Sequence, residues 1–371
     1  MTESPNPEIA FATRASTDPV PTAERDRILA SPGFGEVFTD HMVTLRWTAG
    51  RGWHDGAVQS YGPLMLEPAT AVFHYAQEIF EGLKAYRQGG GPIVAFRPQA
   101  NAARFNRSAA RLAMPELPEA AFLRSIELLV SQDRDWVPSA EGHSLYLRPF
   151  MIATQRGLGV NRPSQEYQYT VIASPAAAYF TGGIRPVSVW LSHEYTRAAP
   201  GGTGEAKCGG NYAAAFAGQL QATASGCDQV VWLDAVEHRW VEEMGGMNLF
   251  FVYGSGAQAR IMTPALTGTM LPGITRDSLL TLGPDLGIRA EEGKISADQW
   301  EAECASGELT EVFACGTAAV ITPVGQVKSA NGEWTIGDGT PGPVTMRLRE
   351  ELVGIQYGQR PDPHGWVYKI C

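Results

Sequence analysis

Between Gln229 and Pro264 the chain runs through four apolar segments, QVVWLD, RWVEE, NLFFVYG and ARIMTP, separated only by short breaks. Short runs of Val, Ile, Phe and Trp bounded by turn residues read as strands. Further on, EVFACGTAAVITPVGQV reads as a strand, a tight Gly-Thr turn and a second strand. The first half mixes elements too: HMVTLRW, GPIVAFRP, SLYLRPFMIAT and YQYTVIASP read as strands. PQANAARFNRSAARLAM reads as a helix, with Pro98 in its first turn. PEAAFLRSIELLVSQDRDWV is an amphipathic helix with Phe122, Ile126, Leu129 and Val130 on one face. Neither half alternates strand and helix strictly, which favours an α+β fold over a doubly wound sheet.

At 371 residues the chain exceeds what one core usually holds, so two domains are expected. The first segment, residues 1–30, is rich in Pro, Ser and Thr and reads as a loose arm without a secretion signal. A small domain is expected over 31–176, an interdomain loop over 177–187, and a larger domain over 188–371. Hydrophobic residues make up 44% and charged residues 18%, an ordinary globular balance. The net charge of -10 argues against nucleic acid, which needs clustered Lys and Arg. No apolar run is long enough to span a membrane. Five scattered cysteines without a C-x-x-C pair, and histidines without paired spacing, point to no disulfide framework, no metal site and a cytoplasmic setting.

Lysine is scarce: Lys84, Lys207, Lys294, Lys328 and Lys369 are all there are. Lys207 sits in GGTGEAKCGGNY, where glycines let backbone approach a ligand closely. A nucleotide phosphate loop would need a Gly before the lysine and a Ser or Thr after it, but Ala206 and Cys208 stand there. The alternatives are an exposed loop lysine and a nucleophilic one. A desolvated amine can form a Schiff base with a carbonyl compound or with pyridoxal phosphate.

Pyridoxal phosphate would need an anion site, an acid at its ring nitrogen and a donor at its phenolic oxygen. LPGITRDSLL is a glycine turn entering a helix, so Gly273, Ile274 and Thr275 present N–H groups to an anion. ACGTAAV offers a second such turn at Gly316, Thr317 and Ala318. One of Arg104, Arg107 and Arg111 could reach inward from the early helix. EEMGGMNLFF supplies Glu242 and Glu243, one of which is expected to face outward by strand alternation. Tyr212 lies five residues beyond the lysine.

FHYAQEIFEGLKAYR, LYLRPF, AKCGGNY, EEMGGMNLFF, LPGITRD and VFACGTAAVITPV together resemble the branched-chain amino acid aminotransferases. These are pyridoxal 5'-phosphate enzymes. The likeness runs from PGFGEVFTDHM to GIQYGQRPDPHGW, and GRGWH, HYAQE and GCDQVVWLDAVE look most like the actinobacterial branch. The resemblance implies fold type IV, D-amino acid aminotransferase-like, with a small N-terminal α/β domain and a larger C-terminal β-barrel-like domain. It implies ping-pong transamination between Leu, Ile or Val and 2-oxoglutarate, the last step of branched-chain amino acid biosynthesis and the first of degradation.

It also implies roles. Lys207 would bind the cofactor and shuttle the proton at the substrate Cα. Glu243, not Glu242, would meet the pyridine nitrogen, and Tyr212 the phenolic oxygen. Arg104, Gly273, Ile274, Thr275 and Thr317 would hold the phosphate, and Asn248 would belong to the cofactor site. Tyr146, Thr317 and Ala318 would take the substrate α-carboxylate, and Arg148 the side-chain carboxylate of glutamate. Phe34, Tyr75, Phe80, Tyr179 and Met247 would line the branched side-chain pocket. Leu158 and Val160 would reach a partner subunit, making a homodimer. Some animal members carry a C-x-x-C pair after the Gly-Thr turn; here Ala319 and Thr322 stand there, so no such thiol switch is expected. The rivals are a D-amino acid aminotransferase, an aminodeoxychorismate lyase, and a phosphate-ligand binding protein without catalysis.

Overall fold

The computed structural model describes residues 9–177 and 183–371; Tyr179 lies outside the described residues. The chain divides into two compact units, Met1–Ala178 with Gln356–Cys371, and Tyr179–Ile355. The assignment of 188–371 to one domain is therefore corrected at its end. Val367–Lys369 pairs with Ile93–Phe96 and becomes the last strand of the first unit's sheet.

That sheet runs in the order Phe11–Arg14, Gly52–Ser60, His41–Thr48, Glu166–Ala176, Ser144–Ala153, Leu83–Arg87, Ile93–Phe96 and Val367–Lys369. Glu78–Phe80 pairs beside Ser144–Ala153. The helices Pro98–Arg111 and Glu119–Gln132 pack on each other, and the second lies against the sheet. Phe105, Phe122 and Tyr169 meet there with ring centroids 5.5–6.2 Å apart. Burying each ring contributes about 1.5–3 kcal/mol.

The N-terminal arm is also corrected. Phe11–Arg14 pairs parallel to Gly56–Gln59, and Thr22–Ala30 is helical. The reason is local: a Cβ on Gly56 would come within 2.5 Å of the Ala10 carbonyl oxygen, so only glycine admits this strand. Two backbone N–H groups beyond it, at Ser16 and Val20, find side-chain acceptors on His41 and Asp40.

In the second unit the sheet closes. Val187–Ser192, Val320–Ser329, Leu309–Gly316, Met247–Tyr253, Val241–Met244 and Gln229–Leu233 pair in turn, and Gln229–Leu233 returns to Val187–Ser192. Closure leaves these strands without an open edge. Arg260–Pro264 and Arg289–Gly293 extend the sheet beyond Met247–Tyr253. Both faces of the barrel wall are covered. Phe250 stacks on Phe313 at 5.1 Å, while its neighbour Phe251 meets Trp300 edge-on at 5.3 Å. This explains why NLFFV reads as a continuous apolar run rather than an alternating one.

It also overturns the expectation for Glu242. That side chain does leave the strand on the face opposite Glu243, but both are buried, at 7% and 2% exposure. Glu242 accepts from the Thr269 hydroxyl at 2.5 Å. The helix expected after Lys207 is two, Gly209–Ala213 and Phe216–Ala224. The ladder tightens between them, with the Ala215 N–H donating to the Tyr212 carbonyl three residues back. Among the described residues no helix is long and apolar enough to cross a membrane. Among the same residues no cluster of three His, Cys, Asp or Glu could hold a metal ion.

Candidate active site

Lys207 is half-buried on the loop that ends at the Gly209–Ala213 helix. That single turn of helix brings Tyr212 back over the loop, and the Lys207 Nζ donates to the Tyr212 Oη at 2.7 Å. The loop is tied down by Asn211, whose Nδ2 donates to the carbonyls of Thr203 and Ala206 at 2.7 and 2.8 Å. Its Oδ1 accepts from the Thr203 hydroxyl at 2.7 Å. A buried amide with its donors and acceptor used this way locks a glycine-rich segment that would otherwise cost entropy to order. Sequence reasoning passed over Asn211; its signal was a polar residue at the mouth of an alanine-rich helix.

Glu243 leaves the barrel strand Val241–Met244 beside Gly245 and Gly246. Its Oε1 accepts from the Leu271 N–H at 2.6 Å and from the Asn248 Nδ2 at 3.4 Å. Its Oε2 lies 3.3 Å from the Arg197 Nε. Burial pushes its carboxyl above the usual range, while Arg197, the Leu271 N–H and Lys207 pull it back down. Arg197 was not anticipated either; it donates to the Thr269 carbonyl at 2.5 Å and to the Gly204 carbonyl at 3.2 Å. A cavity of about 210 Å³ is lined by Tyr212, Glu243, Arg197, Leu271 and Gly246 among others. A Cβ on Gly246 would press to 3.3 Å from the Tyr212 ring, so glycine keeps that wall open.

Gly273 occupies the cap position of the helix Ile274–Asp285. The first-turn N–H groups of a helix have no acceptor within it, and its positive dipole end favours an anion. The close approach is built in: a Cβ on Gly273 would collide with the Asn248 Oδ1. Asn248 also donates to the Leu271 carbonyl at 3.1 Å. Thr317 and Ala318 are half-buried in the turn between Leu309–Gly316 and Val320–Ser329. The turn is strained at its exit, where the β-branched Val320 has φ 63°. Met247 lies against Gly316, where a Cβ would meet its Cγ at 3.2 Å. Cys315 is buried, and burial raises its thiol well above the ordinary range.

The first unit carries the remaining candidates. Arg104 is 4% exposed, whereas Arg107 and Arg111 are exposed to solvent. Its guanidinium is held bidentate by Glu81, Nε to Oε1 at 2.7 Å and NH2 to Oε2 at 2.8 Å. Asn101 donates to the same carboxylate at 2.7 Å. Glu81 is fully buried, and an acid inside IFEGL was the unread signal for it. Phe34 meets Tyr146 edge-on at 5.1 Å. The Arg148 guanidinium lies 4.8 Å over Phe80 and donates to the Tyr146 Oη at 3.4 Å. A Cβ on Gly82 would collide with that Oη. Tyr75 donates to the Leu158 carbonyl at 2.5 Å. Leu158 and Val160 are 65% and 76% exposed.

The chain matches the family model for amino-transferase class IV over residues 78–327. It is 61% identical to the branched-chain-amino-acid aminotransferase of Mycolicibacterium smegmatis, over 98% of each chain. It is 59% identical to a probable branched-chain-amino-acid aminotransferase of Streptomyces coelicolor, over 96% of this chain and 98% of that one. Among solved structures it is similar to a T.th. branched-chain amino acid aminotransferase with pyridoxamine 5'-phosphate. There the TM-score is 0.71 and the identity 30%, covering 88% of this chain and 98% of that one.

Proposed function

The chain belongs to the amino-transferase class IV family, and from that membership we infer that it exchanges amino groups between branched-chain L-amino acids and 2-oxoglutarate. Pyridoxal 5'-phosphate is its cofactor. When bound, that group supplies an aldehyde to take the amino group and a ring to delocalise the electron pair left at Cα. The donor set suits it: an amine beside a phenol, a buried carboxyl, and a helix N-terminus approached closely by a strand.

The observation that carries this reading is the pairing of Lys207 with Tyr212 at 2.7 Å in the unit that also buries Glu243. The Lys207 Nζ holds the cofactor, then takes and returns the proton at the substrate Cα. The Tyr212 Oη, which accepts from that amine, keeps its own proton for the phenolic oxygen. Glu243 would meet the pyridine nitrogen when the cofactor is bound; the Arg197 guanidinium and the N–H of Leu271 favour its ionised form against burial. The amides of Ile274 and Thr275, with Gly273, Asn248 and Thr317, serve the phosphate end. Arg104, oriented by Glu81, is the charged group assigned to the phosphate.

Phe34, Phe80, Tyr75 and Met247 read the branched side chain. Tyr146, Thr317 and Ala318 take the α-carboxylate, and Arg148 the second carboxylate of glutamate. Hydrocarbon walls separate Leu, Ile and Val by only ~1–3 kcal/mol per methylene, so all three are substrates. Exposed Leu158 and Val160 are the surface a second copy covers in a homodimer. Five free cysteines fit a cytoplasmic enzyme. The test is an assay of L- and D-leucine with 2-oxoglutarate. Glutamate formation from the L isomer alone is expected; turnover of the D isomer would transfer the chain to the D-amino acid branch.

A further inference from the structure

We propose that the N-terminal segment Phe11–Val20 positions the substrate pocket, acting through His41 and Asp40 on the loop that carries Phe34. This rests on the reading of Phe34 as a pocket residue. The segment ends in two polar bonds that land on adjacent residues. The Ser16 N–H donates to the His41 Nε2 at 2.8 Å, and the Val20 N–H donates to the Asp40 Oδ1 at 2.8 Å. Asp40 and His41 are the residues at which the loop Pro32–Thr39 enters the strand His41–Thr48.

His41 is itself fixed. An Nε2 that accepts an N–H carries no proton, so the ring meets Asp133 through its other nitrogen, Nδ1 to Oδ1 at 2.5 Å. The His41 N–H donates to the second Asp133 oxygen at 3.0 Å. Both side chains are nearly buried, at 5% and 3% exposure. Asp40 is braced likewise, accepting from the Trp136 indole at 2.7 Å. Packing alone would be served as well by apolar residues, because buried polar groups cost stability unless fully paired. What such a network adds is a defined geometry.

The loop's other restraints are local: Phe38 stacks on Tyr61 at 5.0 Å, and the Thr39 hydroxyl donates to the His41 carbonyl at 3.4 Å. The helix Thr22–Ala30 that enters it buries no residue and has no side-chain cap. Phe34 is 50% exposed and touches the sheet through one bridge to Ala176 and the edge of Tyr146. Further bonds run from the Ala177 N–H to the Gly33 carbonyl and from the Thr39 N–H to the Ala173 carbonyl. Losing the Ser16 or Val20 bond therefore removes one of the restraints on the loop end nearest the strand, and the fraction of molecules with Phe34 in place falls.

The experiment uses the full-length holoenzyme. His41→Ala removes the acceptor, Ser16→Pro removes the donor N–H together with the hydroxyl that accepts from the Asp18 N–H at 3.3 Å, and His41→Gln restores an acceptor oxygen near the Nε2 position. Both loss variants should raise KM for L-leucine about fivefold, with kcat within about twofold and cofactor affinity unchanged. His41→Gln should recover most of that loss. Combined with Phe34→Ala, the loss variants should add no further rise in KM. The proposal is overturned if Tm falls while KM stays put, or if the effects add in the Phe34→Ala background. If Phe34→Ala alone leaves KM unchanged, the pocket reading fails and the proposal with it. If Phe34→Ala raises KM and the arm variants do not, only the proposal fails.

Discussion

The candidate residues of the two units are held in different ways. In the second unit Glu243 is nearly buried, Lys207 half-buried, and both are tied by bonds of 2.6–2.7 Å to partners on a closed barrel or its covering loops. In the first unit Phe34 and Tyr75 are half-exposed rings on a loop and a one-turn helix. A rigid site suits groups that must meet a developing charge within a fraction of an ångström. Adaptable aromatic walls suit a pocket that accepts three hydrocarbon side chains and glutamate. The contrast separates the tightly held Lys207 and Glu243 from the more exposed Phe34 and Tyr75: substitutions at the first pair are expected to act on kcat and at the second pair on KM.

Substitutions can break that division. The largest effect is expected from Lys207→Ala, which should lower turnover of L-leucine about 10³–10⁴-fold in a steady-state assay. Glu243→Gln should lower kcat about 10²-fold with little change in KM. A KM effect of that size instead would remove Glu243 from the chemistry. Phe34→Ala should raise KM for L-leucine about tenfold, the loss of about 1.4 kcal/mol of apolar contact with the substrate, and leave kcat nearly intact. A fall in kcat of the same size would erase the distinction between the units.

The smallest effect concerns stability. Burial would raise the Asp234 carboxyl, but backbone N–H groups of Val236, Glu237, Arg239 and Trp240 bring it down to about 2. A depressed carboxyl contributes stability that is full above its ordinary value of 3.8 and lost as pH falls toward 2. Discounted for solvent screening, that contribution is about 1 kcal/mol. Asp234→Asn should lower Tm at neutral pH and flatten its decline between those two pH values. An unchanged acid profile would show that the turn is held by something else.

What the sequence made legible follows the same line. The strands Gln229–Leu233 and Met247–Tyr253, the helix Pro98–Arg111 and the glycine-framed Lys207 were readable because local pattern and turn chemistry mark them. Glu81 and Arg197 were not, because their partners Arg104, Glu243 and Thr269 are distant in sequence, and Asn211 was not, because a polar residue gives no hint of which nearby carbonyls it will bind. Glu242 was misread because alternation predicts which face a side chain leaves from, not whether that face is covered. The arm was misread because its Pro-rich composition carries no sign of Gly56, whose missing side chain lets Phe11–Arg14 join the sheet. Strand Val367–Lys369 was missed for a related reason: three residues give no periodicity.

The most direct test of the account is chemical. Protein loaded with pyridoxal phosphate is reduced with borohydride, digested, and the modified peptide sequenced by mass spectrometry. The account predicts that visible absorbance bleaches and that the phosphopyridoxyl group is found on Lys207. A label on Lys84, Lys294, Lys328 or Lys369, or no label on protein that still transaminates L-leucine, would contradict it.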